Sequence, residues 1–173
     1  MRKALEQVVE LFQGKDWKFE IDEENDLVRT GIEGDNGGWK VIVAALDDDD
    51  AFLVLSLFPQ KCPARRRGPC AELLTRINFG RTMGCFEMDY EDGEIRFKTT
   101  LPFAQESFNT ENLNNLLMFN LASMDRFLPV IMSVIYAGTS PAQALTAVKR
   151  REKAKAQSKT QQQDLVRRRF EVN

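Results

Sequence analysis

Residues 73–101, LLTRINFGRTMGCFEMDYEDGEIRFKTTL, carry the clearest structural signal in the chain. Leu73, Leu74, Ile77 and Phe79 supply the apolar positions of a helix predicted over 65–83. Beyond Gly84, Phe86, Met88 and Tyr90 alternate with polar residues, and so do Ile95, Phe97, Thr99 and Leu101. A period of two marks strands with one buried face, and Asp92-Gly93 between them is a turn pair that accepts positive φ. The stretch reads as helix, turn and β-hairpin. It contains no recognisable catalytic constellation.

Upstream, Leu5, Val8, Val9 and Phe12 fall at i, i+3, i+4 and i+7, the spacing of a helix with one apolar stripe, and Gly14 is placed to end it. Trp17, Phe19 and Ile21 then alternate as a strand. A second strand is predicted over 27–32, a turn at Gly34-Asp35-Asn36-Gly37-Gly38, and a third strand over 39–46. The fourth, 52–58, is nearly all apolar, as in a strand buried on both faces or one lying at an interface.

Downstream, Thr110 is placed to cap a long helix whose apolar positions run from Leu113 to Ile135 and stop at Gly138. Pro129 inside it predicts a kink. Ser140-Pro141 opens another helix. Past Arg151 the run EKAKAQSKTQQQD has almost nothing to bury, so its order must come from a partner or from helix propensity alone. The expected fold class is α+β. An antiparallel sheet, a four-strand meander plus C-terminal hairpin, packs with N-terminal, middle and long C-terminal helices. The expected division is a body over 1–138 and a basic tail, helical or partly disordered, over 139–173.

At 173 residues and 43% hydrophobic content the chain suits one domain with its own core. No uninterrupted apolar run reaches the roughly 18–20 residues that cross a bilayer. The opening MRKALEQVVELFQ lacks the apolar core of a signal peptide, so a cytoplasmic protein without membrane insertion is expected. Histidine is absent, which removes Ser-His-Asp and Cys-His catalysis and argues against ordinary zinc, copper or haem sites. Cys62, Cys70 and Cys85 are odd in number and follow no motif spacing, which argues against a disulfide framework. Charge is unevenly spread. Residues 1–147 hold 15 basic and 23 acidic residues, a net −8, while 148–173 hold 9 basic and 3 acidic, a net +6.

Asp47-Asp48-Asp49-Asp50 offers carboxylates to a divalent cation, yet lacks the alternating ligands, central glycine and distal glutamate of a calcium loop. It reads as a solvated turn. Glu87, Asp89, Glu91, Asp92 and Glu94 could pair as acid and base, but the pleat sets Glu87 and Asp89 opposite Phe86 and Met88, on the solvent side. The glycines of 34–38 lack a P-loop's Gly-Lys-Ser/Thr and a following helix. No catalytic, cofactor-binding or metal-ligating residue is assigned. Basic clusters remain as candidate partner or anion contacts: Arg65, Arg66 and Arg67 at a helix start, and Lys149, Arg150, Arg151, Arg167, Arg168 and Arg169 in the tail. Three occupants suit the tail equally: the acidic body of its own or a dimer mate's chain, a protein partner, or nucleic acid.

In this setting the chain resembles the YbjN-domain family, whose fold is similar to that of type III secretion chaperones. The resemblance rests on Trp17-Lys18-Phe19 after the first helix, Leu57-Phe58-Pro59 before the second, and Leu74, Arg76, Ile77 and Asn78 within it. It continues through Gly84-Cys85-Phe86-Glu87-Met88-Asp89, Asp92-Gly93-Glu94-Ile95-Arg96 and Leu101, then Met124-Asp125 and Pro129 in the long helix. It covers residues 1–136. The Arg65–Arg67 cluster and the basic tail depart from it. The resemblance implies an α+β binding fold that tends to form homodimers and supplies no catalytic residue. The expected function is a non-catalytic cytosolic protein-interaction module, chaperone-like or an adaptor. The alternative is a regulator that binds nucleic acid through its tail.

Overall fold

Helix α1, Lys3–Gly14, leads into four strands: β1, Phe19–Asp22; β2, Leu27–Gly34; β3, Gly37–Leu46; and β4, Ala51–Leu57. A single 3-10 turn, Ala64–Arg66, runs into α2, Arg67–Asn78. The hairpin strands β5, Cys85–Met88, and β6, Ile95–Pro102, follow, then α3, Thr110–Tyr136, and α4, Pro141–Phe170. The computed structural model describes residues 3–46, 51–102 and 110–170, giving 3, 152, 155, 156 and 159–170 by their backbone alone.

All six strands join one antiparallel sheet in the order β1-β2-β3-β4-β6-β5. The first four form the expected meander. The hairpin docks by its second arm, with Phe97 opposite Ser56 and Thr99 opposite Val54, and leaves β5 on the edge. Alternation then sorts the side chains. Val28, Trp39, Val41, Val43, Phe52, Val54 and Phe97 point to one face, where they meet Leu5, Val8 and Phe12 of α1, Leu73 of α2 and Leu117, Met124 and Ile131 of α3. Phe12, Phe52 and Phe97 are fully buried, each worth about 2–3 kcal/mol of transfer free energy. Ala144 and Val148 of α4 complete the core against α2 and α3.

α3 is the central helix. By length and composition it could cross a bilayer, which a search for unbroken apolar runs missed; here its apolar stripe lies mostly inside the protein. It carries a buried polar node. Asn120, with no exposed surface, accepts a hydrogen bond from Ser56 Oγ at 2.6 Å, and Ser56 in turn accepts from Trp39 Nε1 at 3.0 Å. Its Nδ2 faces the carbonyls of Val54 and Phe97 and the hydroxyl of Thr99 at 3.0–3.2 Å. Pro129 lies within the helix and cannot donate to the Asp125 carbonyl. Asn36, in the β2–β3 turn, supplies the substitute: its Nδ2 donates to that carbonyl at 3.1 Å. The Asp125 carboxylate accepts from the Asn36 backbone N–H at 2.8 Å and from Nδ2 at 3.0 Å.

Several boundaries differ from the sequence expectation. The helix predicted over 65–83 ends at Asn78, and Phe79 is 91% exposed, because Gly80 takes a left-handed φ of +79° and turns the chain. α1 includes Gly14, and the residue of positive φ is Asp16 at +54°. Thr110, placed by the sequence as a cap, is the first described residue of α3. The hairpin closes through a loop of 89–94, in which Tyr90 is exposed and Gly93 alone takes positive φ. The nearly all-apolar β4 is buried on one face and half-buried on the other. The Asp47–Asp50 turn lies outside the described residues.

Candidate functional site

Every described helix contributes its buried apolar residues to one side of the sheet, and none of the described elements packs on the other. Register brings Leu27 opposite Ala44, Ile42 opposite Leu55 and Ala44 opposite Leu53 on that outer face, with Leu57 in the next row. These leucines and Ile42 are half-buried. Gly31, opposite Lys40, adds no side chain to its row, and an open groove of about 630 Å³ lies there, lined by Glu20, Arg29, Lys40, Ile42 and Leu57. The face therefore has an aliphatic centre.

Ion pairs stand at both of its margins. Arg29 Nη1 pairs with Asp22 at 2.8 Å on the β1 side. On the β5 side Glu87 accepts from Arg96 Nε at 2.9 Å and from Lys98 Nζ. Burial alone would raise the Glu87 pKa, but the hydrogen bonds from Lys98 and Arg96 outweigh it and hold the group below its ordinary value. A lowered pKa is the reverse of what a general acid at neutral pH requires. Glu87 contributes stability above its unfolded pKa and loses it only as acid protonates it in the folded state.

The predicted basic residues divide. Arg66 donates through Nε, at 2.9 Å, and Nη2 to the Val134 carbonyl near the end of α3. Arg67 donates to the carbonyls of Cys62 at 3.4 Å and Tyr90 at 2.9 Å. Both therefore tie chain segments together, while Arg65 is exposed. Lys149, Arg150 and Arg151 are exposed on α4 just past the buried Val148. The side chains of Arg167, Arg168 and Arg169 lie outside the described residues. Asp92 pairs with Lys61 at 2.5 Å, and Asp89 accepts from the Glu91 N–H. Among the described residues no three His, Cys, Asp or Glu side chains converge to hold a metal.

All three thiols are displaced away from reactivity. Burial pushes Cys70 up to about 12, helped by Cys62 beside it; burial also raises Cys62, and raises Cys85 with Glu87 adding to the effect. Only the thiolate reacts. Titration of the folded protein with iodoacetamide at neutral pH is expected to modify Cys85 slowly and Cys62 and Cys70 not at all until denaturant is added. Mass spectrometry reads both results directly.

The model of the family described as "YbjN: Putative bacterial sensory transduction regulator" matches residues 4–133. The chain belongs to the YbjN family. As a YbjN-family chain it ends in a segment, α4, that lies beyond the match. No curated protein sequence matches it significantly. Among solved structures it is similar to YbjN from E. coli, at 10% identity and a TM-score of 0.55, over 72% of this chain and 87% of that one. It is similar to the ExsC–ExsE complex at 15% identity and 0.54, over 75% and 93%. An uncharacterized protein from Methanothermobacter thermautotrophicus aligns at 12% identity and 0.51, over 76% and 99%. At these identities the likeness is one of fold, and it confirms the α+β architecture of an antiparallel sheet packed with helices.

Two features escaped the sequence reading. The outer face was half-visible in the nearly all-apolar β4, a pattern equally expected of two-sided burial. Arg81 gave no signal at all, and is found with its guanidinium over Phe97, Phe119 and Phe127.

Proposed function

We propose that this YbjN-family protein is a non-catalytic, cytoplasmic protein-interaction module, chaperone-like or an adaptor, that receives its partner on the outer face of the sheet. The observation that carries this reading is the aliphatic face itself: Leu27, Ile42, Leu53, Leu55 and Leu57, uncovered by any described helix and flanked at each margin by an ion pair. Contiguous apolar surface rimmed by polar groups is what protein partners cover. The fold supports the reading, since the ExsC–ExsE structure is by its name a complex of two proteins. Homodimerisation through the same face is a second use of it, and the residues over 1–138 would form the binding body in either case.

A second reading belongs to the tail, 139–173. α4 continues past the buried Val148 as a helix bearing exposed Lys149, Arg150, Arg151 and Lys153. Such a rod offers phosphate contacts to nucleic acid, and with Arg167, Arg168 and Arg169 it would bind with steep salt dependence.

One experiment separates the two. The full chain, a chain ending at Ala147 and Leu55→Glu are each used to capture partners from the source cytosol at two salt concentrations. Leu55→Glu places a carboxylate opposite Lys98, so stability should change by less than about 1 kcal/mol. A discrete polypeptide held by the first two and lost roughly tenfold by Leu55→Glu fits the face reading. Retention that ignores Leu55→Glu sinks it. Nucleic acid held by the full chain alone, and released by salt, assigns binding to the tail.

A further inference from the structure

Between α3 and the corner that joins α1 to β1 runs a second groove, open and of about 590 Å³. Its floor is apolar: Trp17 and Ile32 are half-buried, Leu121 is buried, and Met118 of α3 is 45% exposed. Four carboxylates stand around it, those of Asp16, Glu33, Asp35 and Asp125. Among the described residues none of the four forms an ion pair. Asp125 accepts hydrogen bonds from Asn36, a neutral partner that leaves its charge in place. Two lysines are near, Lys18 on the rim and Lys15 with its Nζ 5.5 Å from the centroid of the Trp17 ring, so negative charge remains in excess.

The same chain carries the complement. Past Val148, α4 presents Lys149, Arg150, Arg151 and Lys153, all exposed, and residues 148–173 hold a net +6 against −8 for the rest. This helix does not serve its own groove. It packs on α2 and α3, whereas the groove opens on the flank of α3 that faces the start of β1 and the end of β2, and no described residue of α4 lines it. Nor does α4 turn back: it is one helix from Pro141 to Phe170, with no proline or glycine beyond its first residue to bend it. At 1.5 Å per residue such a helix is about 45 Å long, and its basic part leads away from the two turns that pack.

We propose that the basic continuation of α4 docks in the acidic groove of a second copy of this chain, each copy giving its helix to the other. The apolar stems of lysine and arginine cover Trp17, Ile32 and Met118, while their charged heads reach the carboxylates around them. Each chain supplies one helix and one groove, so exchange about a two-fold axis fills both grooves and closes the assembly at two chains. A foreign basic partner would leave the chain's own basic helix unanswered. The contact goes beyond the outer-face reading and uses none of that face's leucines, so either can fail alone. It also competes with nucleic acid for the tail.

The test is sedimentation equilibrium of the full chain, stripped of nucleic acid in high salt and returned to low salt. The native chain is expected to form a dimer at micromolar concentration that dissociates as salt is raised. Reversing the groove (Glu33→Lys with Asp35→Lys) or the helix (Lys149→Glu with Arg150→Glu and Lys153→Glu) should each weaken the dimer about tenfold. A chain carrying all five substitutions opposes unlike charges again and should recover most of the loss, while Leu55→Glu leaves the dimer unchanged. The five positions are exposed, so these variants should melt close to the native chain, which makes a lost dimer interpretable. Five results overturn the proposal: a monomer at every concentration, a dimer that ignores either reversal, no recovery on combining the two, a dimer lost with Leu55→Glu, or one that forms only when nucleic acid is restored.

Discussion

Replacing Asn120 by alanine should cost about 3–4 kcal/mol of stability, the largest loss expected from any single polar side chain in this protein. The amide sits with no exposed surface between α3 and the centre of the sheet. Its removal leaves the Ser56 hydroxyl without its acceptor and deprives Thr99 and the Val54 and Phe97 carbonyls of a shared donor. None of these groups can reach water. Asn120→Leu separates polarity from volume: it fills the space, yet is expected to lose about 2–3 kcal/mol because the orphaned groups stay buried. Adding Ser56→Ala to Asn120→Leu should then cost less than the two single losses combined, since one orphan disappears with its partner. Urea unfolding followed by tryptophan fluorescence measures these variants and Ser56→Ala alone, with Trp39 reporting from within the node through its Nε1. Strict additivity would mean that the node does not act as a unit.

Gly93→Ala is expected to lose about 3 kcal/mol or more from the addition of one methyl group. Gly93 has a φ of +83° and is buried in the hairpin loop. A left-handed conformation alone costs a non-glycine residue about 1–2 kcal/mol. Here the new Cβ would also collide with the Cys62 carbonyl oxygen and come within 3.0 Å of the Cys62 carbon and nitrogen. That backbone cannot yield cheaply, since the Cys62 N–H donates to the Gly93 carbonyl at 2.7 Å. Gly80→Ala supplies the control. Gly80 has a similar φ of +79°, but nothing lies within 4 Å of its Cβ position, so its loss should stay near 1 kcal/mol. Equal melting temperatures for the two variants would refute the role given to the Cys62 contact.

The contrast between Asn120 and the hairpin shows what a sequence exposes to reading. Alternation at Ile95, Phe97 and Thr99 is local, because a pleat repeats every two residues whatever it packs on. The meander, hairpin and long helix were legible for that reason. Asn120 was not, since its partners lie on β4 and β6 and no spacing along α3 points to them. Arg66 and Arg67 illustrate the converse. As an arginine run they read as a surface cluster, yet the carbonyls they bind belong to Val134 and Tyr90, distant in sequence. Phe79 extended an apolar periodicity beyond the true end of α2, because periodicity records residue type and not exposure. The candidate face was half-legible: β4 announced apolar surface on both sides, but only the register of its neighbours shows which side the helices leave open.

The strands at the two margins of the sheet, β1 and β5, have four residues each, whereas the inner strands have seven to ten. Unpaired strand edges nucleate fibrils, and an aliphatic sheet is a hazardous surface on which to leave one long and flat. Here so few backbone groups are free at each margin that a further chain gains little by extending the sheet sideways. The protein can hold a greasy surface open to the solvent without inviting its copies to polymerise along it.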